Sequence, residues 1–331
     1  MSYTPRVSVE NRERFVHVVT HGPHCLDGVA AAVAVARYHA GNHVTPHFCS
    51  HREINQVLAD LRCDPMAARH EVWITDISWS DSAVDRHLQT LIDRGVKVYL
   101  IDHHRTTLER WHAGHISVRL TDCVLSESYA ASRLVYEYLQ RRSDATPQRR
   151  EWFDALHTLI AMADDNDRWV HRIPGSRELA ATVDAMEGPD AFHELLKVDA
   201  QVTYTPRMSA AQQRARAQLA HSFAVAEQNR FEHILPDAGI TLITTVCAGY
   251  SSEIADAWGR MSPRTVFAFF DTKSLTISLR RSPDCSLDLS HLAARFGGGG
   301  HAAAAGCEVS GLGRPIAESL ASMMAAALSS R

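Results

Sequence analysis

The sequence lacks any apolar run near the roughly 20 residues that a transmembrane helix needs. The opening residues, Met1 to Arg6, also lack the apolar core of a secretory signal. We therefore expect a cytoplasmic protein with no membrane partner.

Lysine is nearly absent, because Lys97, Lys197 and Lys273 are the only lysines among 34 basic residues. At a formal net charge of −4, the chain lacks the broad basic surface that holds long nucleic acids through counterion release. The remaining positive charge is arginine, which suits fixed bidentate contacts to phosphate. The charge therefore does not support a long binding surface for nucleic acid, whereas binding of a small phosphate-bearing partner remains possible from the sequence.

Cysteine is scarce as well, and the odd number of seven, without close pairing, indicates free thiols rather than a disulfide framework. Cys25 alone stands within a motif. The others are interpreted as small packing residues, namely Cys49, Cys63, Cys123, Cys247, Cys285 and Cys307. With 331 residues, 45% of them hydrophobic, the chain predicts two globular domains.

Three apolar runs end abruptly in polar side chains. They are 15–20, which leads into His21, Cys25 and Asp27; 71–75, which leads into Asp76; and 98–101, which leads into Asp102, His103 and His104. The carboxyl ends of parallel strands form the binding edge of an open α/β sheet, so these groups should converge. Crowded carboxylates and imidazoles need a cation, and their types suit Mn²⁺, Fe²⁺ or Zn²⁺. A metal-dependent hydrolase is the first hypothesis.

The order of patterns predicts the architecture. Strand and helix patterns alternate four times, which predicts an α/β fold with a doubly wound parallel sheet. A helical stretch without strand signal follows, and a second α/β pattern starts at Ile240. We predict a metal-binding catalytic domain over 1–188, a helical linker over 189–236, and a smaller α/β C-terminal substrate-binding domain over 237–331.

The triplet Asp102-His103-His104 after an apolar strand resembles the signature of the DHH phosphoesterase family. The family's first motif, His-x-x-x-Asp-x-Asp, is similar to His21–Asp27, with Cys25 in place of the first aspartate. Asp76 matches the lone aspartate of the second motif. Residues 164–169 resemble the Asp-x-Asp-x-Trp form of the fourth, and 296–301 resemble the glycine-rich motif of an accompanying domain.

This resemblance implies a pair of divalent metal ions, with Mn²⁺ expected and Fe²⁺ or Zn²⁺ open because of Cys25. The implied ligands are His21, Cys25, Asp27, Asp76, His103 and Asp165, with Asp76 bridging the ions. Asp164 and Asp167 remain alternatives to Asp165, and His24 remains an alternative to Cys25.

The other site residues are assigned to catalysis and substrate binding. Asp102 would fix the tautomer of a ligating imidazole, and His104 would donate to the scissile phosphate or protonate the leaving oxygen. Candidates for holding substrate are Arg105, Arg280, Arg281, Gly298, Gly299, Gly300 and His301. The backbone N–H groups of the glycine run would form an anion-binding concavity.

The function that the resemblance implies is hydrolysis of a phosphodiester or phosphomonoester bond in a small nucleotide or short oligonucleotide held between the domains. The larger RecJ-type nucleases carry further domains for which this chain has no room. Two alternatives stay open: an inorganic pyrophosphatase or polyphosphatase, against which the glycine-rich motif speaks, and a catalytically degenerate nucleotide sensor. A homodimer is also left open.

Overall fold

The computed structural model describes residues 14–64, 69–142, 147–308 and 313–329. The chain divides into two compact units, a first unit over Met1–Ala215 and a second unit over Arg216–Arg331. Within the described ranges, none of the helices combines the length and apolar character needed to cross a membrane.

The first unit is built on a five-stranded parallel sheet in the order β2-β1-β3-β4-β5. Its strands are β1 (Arg14–His21), β2 (His43–Cys49), β3 (Arg69–Thr75), β4 (Lys97–Asp102) and β5 (Asp122–Leu125). Strand β2 lies at the sheet edge, where a strand tolerates Pro46, which has no N–H for the ladder. Strand β5 was not predicted from the sequence, because it is only four residues long.

Helices cover both faces of this sheet, which confirms the predicted doubly wound arrangement. They are α1 (Leu26–Tyr38), α2 (Ile54–Asp60), α3 (Ser82–Asp93), α4 (Arg105–His112), α5 (Ala131–Gln140), α6 (Pro147–Asp154), α7 (His157–Asp167), α8 (Ser176–Asp184) and α9 (Asp190–Leu195). Successive strand residues point to opposite faces. Val18 therefore joins the core that contains α1, α5 and α7, whereas Val19 joins the core that contains α2 and α3.

The second unit is built on a six-stranded mixed sheet in the order β10-β11-β9-β8-β7-β6, in which only β7 and β8 pair in parallel. Its elements are β6 (Phe231–Leu235), β7 (Ile240–Cys247), α11 (Ser251–Gly259), β8 (Thr265–Asp271), β9 (Thr276–Arg281), α12 (Leu289–Ala294), β10 (Gly299–Gly300), β11 (Ala304–Glu308) and α13 (Gly313–Ser329). One small core includes residues of α11 and another includes residues of α12.

The region predicted as a helical linker, 189–236, contains α9 and α10 (Pro206–Gln228), and α10 runs across the division between the units. Its last part is not helical: residues 231–235 form β6, which pairs antiparallel with β7. The sequence shows no strand signal there because β6 is an edge strand whose first four residues are exposed, so it carries no alternation of apolar and polar positions. The proposed domain boundaries stay a prediction.

Candidate metal centre

Polar side chains of the first unit meet where three neighbouring parallel strands end. His21 is the last residue of β1, Asp76 directly follows β3, and Asp102 ends β4. Because β1, β3 and β4 are adjacent in the sheet, these ends lie side by side. Gly28 lets α1 begin close to β1, since a Cβ at that position would lie 2.0 Å from the His21 carbonyl oxygen. The helix thereby brings Asp27 to the same edge.

Asp76 lies at the middle of this group. Its backbone has a φ of 58°, a left-handed conformation that aspartate tolerates better than most residues. The buried carboxylate accepts a hydrogen bond from the Cys25 thiol at 3.4 Å and lies 3.8 Å from Nδ1 of His21. Its other oxygen, Oδ1, is 3.3 Å from Nε2 of His103. One carboxylate oxygen of Asp76 therefore faces His21 and Cys25, and the other faces His103.

Potential ligand atoms at this edge fall into three overlapping groups, in each of which all atoms lie within 4.8 Å of one another. Two of the groups are His21, Cys25 and Asp76, and Asp27, His103 and Asp167. The third is Asp76, Asp102, His103 and His104, in which Asp102 and His104 bond to each other. Nε2 of His103 is 3.9 Å from Asp27 and 3.6 Å from Asp167. In the part of the chain that the structure describes, this buried nitrogen makes no hydrogen bond of good geometry, although Oδ1 of Asp76 lies 3.3 Å away. A buried orphan nitrogen facing carboxylates fits a divalent cation.

The electrostatics of the site agree with this fit. Burial, and then the charge of Asp27, raises the pKa of Asp76 to about 8, and the same two causes raise the pKa of Asp167 to about 6. Burial alone would lower the pKa of His103, but the adjacent Asp76 carboxylate and the charges of Asp27 and Asp167 raise it to about 9. Burial and the neighbouring His51 lower the pKa of His21 to about 4. A divalent cation would offset the charge of these crowded carboxylates, and His21 is neutral and able to ligate.

The surroundings of Asp27 and His24 show which of them can reach the centre. The Asp27 carboxylate accepts hydrogen bonds from the backbone N–H groups of Ala131 and Ser132, at 2.8 and 2.9 Å, at the start of α5. His24, the alternative to Cys25, is exposed, and its Nδ1 lies 3.0 Å from the Asp184 carbonyl oxygen. The structure thus places Cys25 among the ligand atoms and His24 outside them.

Asp102 is buried and holds the loop that follows β4. Its Oδ1 lies 2.8 Å from Nδ1 of His104, and its Oδ2 accepts a hydrogen bond from the Thr107 hydroxyl at 2.6 Å. Burial alone would raise the pKa of Asp102, but the bond to His104 lowers it. The imidazole that Asp102 orients is therefore His104, the residue expected to face substrate, whereas the sequence analysis pairs Asp102 with a ligating imidazole.

In the fourth motif, residues 164–169, the structure favours Asp167 as the ligand in place of Asp165. Asp164 accepts a hydrogen bond from the Ala130 N–H at 2.8 Å and pairs with Arg133 at 3.1 Å. The Asp165 carboxylate is occupied by three donors, the N–H groups of Arg172 and Ile173 and the Ser176 hydroxyl. Asp167 is the member of the motif that lies in a ligand group. Positions two residues apart on a helix differ by about 200°, so Asp165 and Asp167 point in nearly opposite directions.

The arginines assigned to substrate have partners of their own. Arg105 forms an exposed pair with Glu127, at 3.1 Å. In the second unit, the half-buried Arg280 donates to the Ser252 hydroxyl and to the Leu279 carbonyl. Arg281 lies on the opposite face of β9 and donates to the Leu287 carbonyl at 2.9 Å.

The glycine run has a clear structural role. A Cβ on Gly298 would lie 2.1 Å from the Gly306 carbonyl oxygen, so the run allows β10 to approach β11. The N–H groups of Gly298 and His301 donate to the carbonyls of Ala293 and Ala304. Gly299 and Gly300 form the β10 ladder, and the His301 side chain is exposed. Phosphate binding by this run stays a prediction.

One residue near the centre has no part in the sequence analysis. The ring of His51 lies 5.3 Å from the ring of His21 and 6.0 Å from the ring of His104. It follows the carboxyl end of β2, the neighbour of β1. The rule that places polar groups at strand ends could therefore have found it, had the end of β2 been included.

Comparisons with known proteins give one curated relative and a structural neighbour. No protein-family model matches the chain. It is 26% identical over 310 residues to the oligoribonuclease NrnB of Bacillus subtilis strain 168, covering 88% of this chain and 72% of that protein. It is also similar to the solved structure of PggH, a pGpG-specific phosphodiesterase of Vibrio cholerae, with a TM-score of 0.55, 13% identity, and coverage of 95% and 99% of the two chains. The neighbour confirms the two-part α/β fold, and the relative agrees with the predicted resemblance to phosphoesterases.

Proposed function

We propose that this protein is a metal-dependent phosphodiesterase that hydrolyses short oligoribonucleotides and linear dinucleotides. The observation that carries the proposal is the convergence of Asp27, Asp76 and Asp167 on the orphan nitrogen of His103. The similarity to an oligoribonuclease along 88% of the chain supports the class of substrate. The scarcity of lysine and the net charge of −4 favour a short substrate over a long one.

The residues present fit a pair of divalent ions. His21, Cys25 and Asp76 would hold one ion, and Asp27, His103 and Asp167 would hold the other, with Asp76 shared. When bound, two such ions clamp the phosphoryl group and lower the pKa of water toward neutrality. The carboxylates and imidazoles suit Mn²⁺, and the Cys25 thiol widens the choice to Fe²⁺ or Zn²⁺.

His104 is the candidate general acid. Its Nδ1 is held by Asp102, so Nε2 remains available for substrate, and the side chain is 33% exposed. Burial would lower the pKa of His104, but the bond and charge of Asp102 outweigh it and raise the pKa. A protonated His104 can donate the Nε2 proton to the leaving oxygen as the P–O bond breaks.

Trp169 offers a surface for a nucleobase. It follows Asp167 by two residues, its side chain is exposed, and its backbone has a φ of 55°. The centroid of its ring lies 4.3 Å from that of the His171 ring and 5.2 Å from the guanidinium of Arg177, which belongs to α8. Stacking of a base on an exposed aromatic ring contributes about 1–3 kcal/mol without demanding a particular base. This suits a substrate set defined by length rather than by sequence.

The test is hydrolysis of end-labelled RNA of two to about twenty nucleotides with added Mn²⁺, resolved by product length. We expect release of mononucleotides, with dinucleotides and other short substrates hydrolysed faster than long ones. Asp76→Asn keeps the left-handed backbone and the side-chain size but removes the bridging charge. It should lower turnover by about 10³-fold or more.

Two outcomes would contradict the proposal. A folded, metal-loaded protein that binds dinucleotides without hydrolysing them would be the degenerate sensor. Faster turnover of inorganic pyrophosphate or polyphosphate than of any RNA would favour the alternative hydrolase.

A further inference from the structure

A second group of metal-binding residue types lies on the same sheet, apart from the candidate metal centre. His17, His47 and His70 stand on β1, β2 and β3, and Cys63 follows α2. His17 precedes His21 by four residues, so the group lies about 13 Å back along β1. The three histidines lie on the sheet face that packs against α2 and α3. Cys63 belongs to the hydrophobic core between that face and these helices.

Distances in this group are short. One ligand atom each from His17, Cys63 and His70 lies within 4.8 Å of the other two. The rings of His17 and His70 are parallel, with centroids 5.8 Å apart and an interplanar angle of 4°. Nδ1 of His17 lies 3.2 Å from Nε2 of His47.

In the described part of the chain, His17 and His70 each have one ring nitrogen that is bonded and one that is not. Among the described residues, Nε2 of His17 and Nδ1 of His70 are buried without a hydrogen-bond partner. The other nitrogen of His17 bonds to His47, and the His70 imidazole also bonds to the backbone of Asp64. Metal-ligating histidines show this arrangement, because a partner on one nitrogen fixes the tautomer and leaves the other nitrogen for the ion.

The charge states agree with ligation. Burial, together with the neighbouring His47 and His70, lowers the pKa of His17 to about 4, so its imidazole is neutral at physiological pH. Burial raises the pKa of Cys63 to about 11, while the charge of Arg94 acts in the opposite direction. A cation that binds here would therefore displace the thiol proton, as thiolate-ligated metals do.

We propose that His17, Cys63 and His70 form a second metal site that binds Zn²⁺, with His47 orienting His17. Two imidazoles and a thiolate are a ligand set that Zn²⁺ prefers, and the fourth position is left to water. Tetrahedral zinc sets such ligand atoms about 3.3–3.8 Å apart, which is inside the 4.8 Å limit that these three atoms satisfy. The ion would tie Cys63, and with it the segment that follows α2, to strands β1 and β3.

The experiment measures bound zinc in the full-length protein after equilibration with Zn²⁺ under reducing conditions and removal of the unbound ion. The variants are Cys63→Ser and His70→Phe; the second keeps a ring that can stack on His17 and Phe15. Cys49→Ser is the matched control, because Cys49 is also a buried thiol of this core but belongs to no ligand group in the described chain. Circular dichroism verifies that each variant is folded.

We expect Cys63→Ser and His70→Phe each to lose one zinc per chain relative to the wild type, and the double variant to lose no more than one. Cys49→Ser should keep the wild-type content. Zinc should also raise the Tm of the wild type above that of chelator-treated protein, and this difference should shrink in both variants.

Cobalt separates this site from the candidate metal centre, which has a thiol of its own. In Cys25→Ser, the thiolate-to-Co²⁺ absorption should persist, and adding Cys63→Ser should remove it. Wild-type zinc content in folded Cys63→Ser and His70→Phe would overturn the proposal, and so would an equal loss in Cys49→Ser. None of these measurements uses phosphodiesterase activity, so the result is independent of the proposed function.

Discussion

Asp165 and Asp167 are two residues apart in the chain, yet their carboxylates have different surroundings. Asp165 accepts three hydrogen bonds from the segment that begins α8, whereas Asp167 lies 3.6 Å from Nε2 of His103. Isosteric amides test the difference. Asp167→Asn should lower turnover by about 10²-fold or more and weaken metal binding. Asp165→Asn should lower the free energy of unfolding by about 2 kcal/mol, because an amide accepts fewer hydrogen bonds.

The measurements are kcat and metal content for Asp167→Asn, and the Tm for Asp165→Asn. Turnover per folded Asp165→Asn molecule should stay within a few-fold of the wild type. The reverse pattern, with metal lost from Asp165→Asn and retained in Asp167→Asn, would return the ligand role to Asp165.

Cys25 and His24 are neighbours that the structure separates. The Cys25 thiol bonds to Asp76, whereas His24 is exposed and lies beside the Asp184 carbonyl. We predict that Cys25→Ser lowers the metal content of the candidate centre toward one ion per chain, and that His24→Ala leaves it unchanged. Cys25→Asp should keep two ions and favour Mn²⁺ over Zn²⁺, because it replaces a soft ligand with a hard one.

Elemental analysis of the three purified variants under reducing conditions decides this prediction. Because a zinc ion at the site formed by His17, Cys63 and His70 would add to the total, the count is taken in the Cys63→Ser background. Full occupancy by two ions in Cys25→Ser would remove the cysteine from the centre.

At the scale of elements, the start of α1 controls the candidate metal centre. All residues of this helix are buried, and Gly28 sets how closely it approaches the end of β1. Gly28→Ala would force the new Cβ against the His21 carbonyl oxygen, a backbone atom that cannot rotate away. We expect a loss of about 1–3 kcal/mol in the free energy of unfolding. Turnover should fall as well, since His21 and Asp27 would move relative to Asp76.

Gly259→Ala in α11 is the control for this prediction. It is also a helical glycine, but its added Cβ would meet no atom closer than 3.5 Å. Its Tm should be unchanged or slightly higher. If Gly28→Ala melts like the wild type with full activity, the close approach is not required.

The elements that a single sequence reveals are those with a strong buried pattern. Strands β1, β3 and β4 were predictable because their apolar runs end in polar residues, and this also located Asp76 and His103. Strand β6 was not, because its exposed residues carry no alternation. The choice of Asp167 depends on the helical phase at the end of α7. The grouping of His17 with His70 depends on the alignment of β1 with β3, which no single segment encodes.

We expect the first unit to carry out the hydrolysis and the second unit to recognise the nucleotide. The first unit contains both cores of the parallel sheet and every member of the three ligand groups of the candidate centre. The second unit carries Arg280 and the glycine run, for which substrate binding is predicted. A protein truncated after Ala215 should therefore keep its metal ions and slowly hydrolyse bis-p-nitrophenyl phosphate, which needs no recognition of a nucleotide. Its kcat/KM on dinucleotides should fall by about 10²-fold or more, a loss of about 2.7 kcal/mol in transition-state binding.

Full-length Arg280→Ala is the matched control for the truncation, since it removes a single guanidinium and leaves the first unit intact. It should raise the KM for dinucleotides while leaving the metal content and the hydrolysis of bis-p-nitrophenyl phosphate unchanged. Both variants must lose activity on dinucleotides and keep activity on bis-p-nitrophenyl phosphate if the second unit is responsible for recognition. A soluble, folded truncated protein that cleaves dinucleotides at the wild-type rate would place recognition within the first unit, where Trp169 and His104 would then be the groups to vary next.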